Sequence, residues 1–330
     1  MAIQKIDVGS RADWLKLRAH DVTASAAGAL FGVHPYVSAY GLFALKAGLN
    51  SEDAEESQAM RRGRLLEPVA VQLLREERPD WKVLHNSGPK QFYMRDTDLR
   101  IGATPDVLVQ CPQRGKGVIQ VKNIEPRVFR EKWQGGSSKG EIEIPLWIII
   151  QAIVEARLCK ADFACVTPMV VSYGVNMPIL DIPLHDGIWN KLVEKVGAFW
   201  NENVAKGVAP PADYAQDGEL IASMYAEADG TTIDLSRDNR MMEILAEREV
   251  LKAREADGNA AEKARKMLDA EILHKLGNAT VADLGNGVTV SAPTTHRGAY
   301  EVKAGSYRAV KVKGFKLPPG PGAKPAEDAA

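Results

Sequence analysis

The segment Trp147–Leu158, WIIIQAIVEARL, constrains the fold more than any other stretch of this chain. Among the nine residues from Trp147 only Gln151 and Glu155 are polar, and they stand four apart. A helix this apolar has to be buried, so other elements must cover it, and the two polar side chains form one narrow stripe on one face. Strand-like segments precede it at Trp81–His85, Lys90–Arg95, Arg100–Gln110 and Val118–Lys122. Two more follow at Phe163–Ser172 and Met177–Ile182, and a helix is expected over Gly187–Val204. Helix, strands, helix and strand in this order predict an α/β or α+β layer fold with mixed pairing.

Upstream, residues from about Asp13 to Ala47 mix helical spacing with turns, and Gln58–Glu77 reads as a helix with Leu66, Val69, Leu73 and Leu74 inward. Pro68 has no amide hydrogen, so that helix is expected to start near Glu67 or to kink there. Downstream, Gly207–Gly218 holds Pro210 and Pro211 and reads as a linker. Ser236–Leu276 is rich in Ala, Glu, Lys and Arg and predicts helices interrupted at Gly258, as a helical hairpin or a short coiled coil. Two or three strands are expected over Thr289–Lys316, then a disordered Pro-, Gly- and Ala-rich tail. The domain division is therefore 1–206, a linker at 207–218, an extension at 219–316 and a tail at 317–330.

With 330 residues, 45% of them hydrophobic, the chain can bury a sizeable core. Its 42 basic and 43 acidic residues give no overall basic field, so a nucleic-acid partner would have to be met by local positive charge or by metal ions. Cys111, Cys159 and Cys165 are too few and too scattered for a zinc site or a disulfide framework. The longest apolar run, Pro145–Ile150, is far short of the roughly 20 residues that span a bilayer. A cytoplasmic protein is expected, with no membrane partner.

The sharpest chemical signal is IGATPDVLVQ followed by GVIQVK. Gln120 and Lys122 are two apart on a strand and share a face, and a hairpin would bring Asp106 across to them. Two oxygen donors beside an ammonium suit a magnesium ion and its bound water. A surface hairpin with Gln120 and Lys122 in solvent fits the same spacing. Gln151 and Glu155 could likewise face solvent, or Gln151 could cap buried backbone. In AMRRGRLLEP, Glu67 follows Arg61, Arg62 and Arg64, which suits either a metal ligand held ionised or a solvated helix entry. In WLKLRAHDVTAS, Arg18 with Thr23 and Ser25 could grip a phosphate, or the hydroxyls could cap a helix.

Taken in order, RAHDVTASAAGALFG, AMRRGRLLEP, GATPD, IQVK and the helical Gln151 resemble the YqaJ-like viral recombinase family, which includes lambda exonuclease, within the PD-(D/E)xK nuclease fold. The resemblance covers roughly Trp14 to Ser172. It implies a restriction-endonuclease-like core with a central mixed sheet flanked by helices. It makes Glu67, Asp106 and Gln120 the metal ligands, for Mg2+ or Mn2+, and Lys122 the residue that positions the attacking water. Arg18 and Ser25 would contact a 5′ phosphate, Thr104 would face DNA beside Asp106, and Gln151 would touch the active-site water, the lysine or DNA. The family pattern usually has glutamate where this chain has Gln120, so the site carries one charge fewer. The activity implied is that of a phage-type recombination exonuclease that degrades duplex DNA from a 5′ end and leaves 3′ single strands. Its partners would be an annealing protein and further copies of itself, a ring trimer among the possibilities. An endonuclease or resolvase on the same fold, or a DNA-binding module decayed at Gln120, are the alternatives. From Arg297 to Lys316 six basic residues interleave with Tyr300, Tyr307 and Phe315 against Glu301 alone, which suits a DNA-guiding surface or solvated edge strands.

Overall fold

A computed structural model describes residues 2–50, 56–136 and 141–225, and beyond these Arg240, Glu243, Ile244, Glu247, Gly258 and two short strands. The first unit, Met1–Met224, opens with β1 (Ile3–Asp7), α1 (Arg11–Ala19) and β2 (Val22–Thr23), followed by a 3-10 turn over Ala24–Phe31 and α2 (Ala39–Lys46). Then come α3 (Gln58–Glu77), β3 (Lys82–His85), β4 (Phe92–Asp96), β5 (Ile101–Ala103), β6 (Val107–Cys111) and β7 (Gly115–Ile124). The unit closes with α4 (Pro126–Trp133), α5 (Leu146–Cys159), β8 (Phe163–Val171), β9 (Val175–Asn176), β10 (Leu180–Ile182), α6 (Asp186–Ala198) and α7 (Tyr214–Met224).

The main sheet runs β10-β8-β7-β6-β3, with β9 hairpinned onto β8. It is mixed: β7 and β8 are parallel and the other pairs antiparallel. A parallel pair needs a crossover, and α4 and α5 supply it between β7 and β8. One face packs Val118, Val166 and Ala164 against Ile150, Ile153 and Val154 of α5. The other packs Ile119, Val121 and Cys165 against Ala70, Val71 and Leu74 of α3. Helices on both faces of a mixed sheet are the α/β layering expected. A second sheet, β1-β4-β5-β2, packs beside α5.

Several expectations are corrected. The single strand Arg100–Gln110 is two, β5 and β6, in different sheets, because Pro105 cannot donate to a ladder and the chain turns at Thr104–Asp106. Helix α3 covers the expected Gln58–Glu77 with Pro68 inside it and does not start at Glu67; it runs from a Ser57 cap, whose hydroxyl accepts from the Met60 amide. One lost hydrogen bond at Pro68 is outweighed by burial of Ala70, Val71 and Leu74. Val69 is 48% exposed and lies outside the inward stripe. The strand read at Met177–Ile182 is confined to Leu180–Ile182, and the helix read at Gly187–Val204 finishes as a π-helical turn at Phe199–Val204.

The stretch read as a linker is helical from Tyr214, and its Asp217 is buried, accepting from Ser38 Oγ at 2.6 Å and from the Asp213 amide at 2.8 Å. In the second unit, Tyr225–Ala330, an antiparallel pair joins β11 (Val281–Asp283) to β12 (Thr289–Ser291). Most of the expected helical hairpin, the rest of the strand region and the tail lie outside the described residues. Among the described residues, no helix is long and apolar enough to cross a membrane.

Candidate active site

The turn between β5 and β6 places the first acid. Asn86 is buried, and its side-chain amide donates to the carbonyls of Phe92 and Pro105, each at 2.9 Å. Its carbonyl oxygen accepts from the Phe92 amide at 2.8 Å, and its own backbone amide donates to Asp106 O at 2.9 Å. The Pro105–Asp106 turn is thus clamped from outside. Strands β6 and β7 pair with Val107 opposite Ile119, and Asp106 Oδ2 accepts from the amide of Val121 at 3.0 Å. Val121 lies between Gln120 and Lys122, so the carboxylate is docked beside both.

Helix α5 supplies the opposite wall. Its polar stripe faces inward: Gln151 and Glu155 are 6% and 1% exposed. Lys122 Nζ donates to Gln151 Oε1 at 3.0 Å and sits 5.4 Å from the Trp147 ring centroid. Gln151 Nε2 donates to Glu155 Oε1 at 3.0 Å, and Gln120 Nε2 donates to both Glu155 oxygens, at 3.0 and 2.9 Å. Gln120 and Lys122 therefore face α5, not solvent, which removes the surface-hairpin alternative.

Glu67 comes from α3, and its Oε1 meets His85 Nε2 at 2.7 Å, while His85 Nδ1 meets Ser87 Oγ at 3.0 Å. Burial pushes the Asp106 carboxyl up to about 6; Glu67 adds to the rise, and Lys122, the Val121 amide and His85 oppose it. Glu155 is pushed up to about 8, by burial first and then by the charge of Asp106, with Gln151, Lys122 and Gln120 opposing. Glu67, Asp106, Lys122 and Glu155 thus act electrostatically on one another through Asp106.

A cavity of about 510 Å3 opens over this group, and its wall includes Glu67, Asp106, Gln151 and Glu155. Arg18, Ser25 and Thr104 line the same cavity. The Arg18 guanidinium stacks 4.3 Å from the Trp14 ring, Trp14 Nε1 donates to Thr104 Oγ1 at 2.9 Å, and Ser25 Oγ is 3.2 Å from Thr23 Oγ1. Gly28 lets the turn carrying Ser25 close onto α5, since a Cβ there would stand 2.9 Å from Trp147 Cβ and 3.3 Å from its Cα. Gln120 and Lys122 are not among the lining side chains. Of the three arginines ahead of Glu67, Arg64 reaches the cavity and pairs with Glu56 at 2.7 Å.

Sequence reasoning missed His85 and Asn86, which carry no motif, and treated Glu155 only as half of a polar stripe. Its spacing from Gln151 was the available signal.

The donor chemistry suits a hard divalent cation. Gln120 Oε1 is buried without a hydrogen-bond partner, and a carbonyl oxygen in that condition suits a ligand atom. Among the described residues, no three His, Cys, Asp or Glu side chains converge into a ready-made metal cage. Magnesium does not demand one, because it keeps several waters and is bound by one or two carboxylates together with substrate phosphates.

Residues 13–156 match the model of the YqaJ-like viral recombinase domain. Among solved structures, an alkaline exonuclease from Laribacter hongkongensis is similar at 18% identity and a TM-score of 0.42, over 64% of this chain and 98% of that one. A phage-related exonuclease from Haemophilus somnus 129PT is similar at 14% identity and a TM-score of 0.38, over 56% of this chain and 96% of that one. No curated protein sequence matches the chain significantly. The stretch over which the chain is similar to the YqaJ-like viral recombinase domain, residues 13–156, contains every side chain of the candidate site described above.

Proposed function

We propose that the chain is a phage-type recombination exonuclease that hydrolyses duplex DNA from a 5′ end and leaves 3′ single strands, with Mg2+ or Mn2+ as cofactor. The observation that carries this reading is the docking of Asp106 on the Val121 amide, between Gln120 and Lys122, in a cavity shared with Glu67. Glu67, Asp106 and Gln120 would hold the cation, which when bound lowers the pKa of a water and neutralises phosphate charge. Lys122, steadied by Gln151 and the Trp147 ring, orients the attacking water. That water's oxygen bonds to phosphorus as the bond to the 3′ oxygen breaks, so the shortened strand again ends in a 5′ phosphate. Arg18 and Ser25, which line the same cavity as Thr104, would receive it. Further copies of the chain in a ring and a single-strand annealing protein are the partners this activity calls for.

A gel assay in Mg2+ tests the reading on linear duplexes with and without a 5′ phosphate and on covalently closed circles. The phosphorylated linear duplex should be consumed fastest, and Arg18→Ala should abolish the preference. Cutting of closed circles would replace the exonuclease by an endonuclease on the same fold.

A further inference from the structure

Position 120 holds an amide where the family resemblance implies a glutamate, so β7 carries one negative charge fewer beside the cavity. A carboxylate of matching charge, Glu155 on α5, accepts from that amide and itself lines the cavity. Glu155 is buried, and the donors it accepts from are the neutral amides of Gln120 and Gln151. The nearby cation, Lys122, donates to Gln151 and not to this acid. A carboxylate removed from water among neutral donors is costly unless positive charge compensates it. Gln120 has the opposite deficit: its NH2 group is committed to Glu155, and its carbonyl oxygen is buried without a donor. A cation on that oxygen answers both deficits at once.

We propose that Glu155 is a positioning residue for the cation site. It fixes Gln120 with the carbonyl oxygen as ligand atom and supplies, through the amide, the negative charge that a strand glutamate would have carried. A carboxylate behind a metal-bound histidine works in the same way, orienting the ligand and raising its basicity. Here the hydrogen bonds to Glu155 polarise the amide and shift electron density toward its oxygen. The substitution at position 120 is thereby a relocation of charge from strand to helix, and Gln120 is not a sign of a decayed site. This inference rests on the cavity being a cation site, as proposed above.

Calorimetric titration of Mn2+ into the full chain without DNA tests it, on the wild type, Glu155→Gln, and the reversed pair Gln120→Glu with Glu155→Gln. The reversed pair keeps the shape, the total charge and an amide-to-carboxylate hydrogen bond, with the acid now on the strand. Thermal melts in chelator check that each variant is folded. Glu155→Gln should weaken Mn2+ binding by about 10–100-fold, the loss typical of a removed outer partner, and the reversed pair should return it close to wild type. Binding by Glu155→Gln equal to wild type, or a folded reversed pair that stays as weak as the single variant, overturns the inference alone. A wild type that takes up no Mn2+ overturns the cation site as well.

Discussion

Replacing Arg95 with methionine removes the guanidinium from a carboxylate that has no access to water. Asp21 is fully buried, with Arg95 Nη2 at 2.7 Å from Oδ1 and the Tyr93 hydroxyl at 3.1 Å from Oδ2. Burial already lifts this acid above the ordinary carboxylate range, with Arg95 the strongest opposing influence. Breaking a buried pair from one side costs about 3–5 kcal/mol. The Arg95 side chain is 16% exposed, so the lower end, about 3 kcal/mol, applies. An acid whose folded-state pKa lies above its unfolded one favours folding below the unfolded value and loses that contribution as pH rises through the folded one. The deficit of the variant should therefore be small near pH ~4 and grow toward neutrality. Urea unfolding followed by circular dichroism across that range measures it. Because Asp21 sits directly before β2 and the Thr23–Ser25 turn, selectivity for a 5′ phosphate should fall with the same variant. The double variant Asp21→Asn with Arg95→Met should recover most of the stability. A loss below about 1 kcal/mol, or one that does not change with pH, refutes the reasoning.

Two further substitutions probe how the site is built. Asn86→Ala removes three side-chain hydrogen bonds that hold the Pro105–Asp106 turn, and should cost about 2–4 kcal/mol in chemical denaturation while lowering nuclease turnover. Gly28→Ala sets a methyl group against the backbone of α5 at Trp147; a loss of about 1–3 kcal/mol is expected by thermal melting, with reduced activity as Gln151 shifts from Lys122.

The residues differ in how legible they were. Asp106, Gln120 and Lys122 could be brought together from sequence because strand periodicity and a short turn leave few ways to pair β6 with β7. The inward stripe of α5 was readable because two polar residues four apart on an apolar helix have few acceptable destinations. What sequence could not supply was long-range pairing. The break at Thr104–Asp106 depends on Asn86, about twenty residues earlier, and the partner of Glu67 is His85 on a separate strand. Local propensity also left open a start of α3 at Glu67, because the burial that holds its first turns to the rest of the helix is tertiary, and it overlooked β1, whose pairing with β4 spans most of the first hundred residues. Asp217 shows the same limit: a stretch rich in proline and glycine reads as a connector until Ser38 is found opposite it.

If Asp106 and Lys122 serve one hydrolytic centre, single-turnover cleavage of a 5′-phosphorylated linear duplex in Mg2+ depends on both, and its rate measures that dependence most directly. The wild type should cleave, while Asp106→Asn and Lys122→Met should each lose about 10²–10⁴-fold in rate and still bind the duplex. A wild type with no cleavage, or variants that cut at the wild-type rate, would contradict the account.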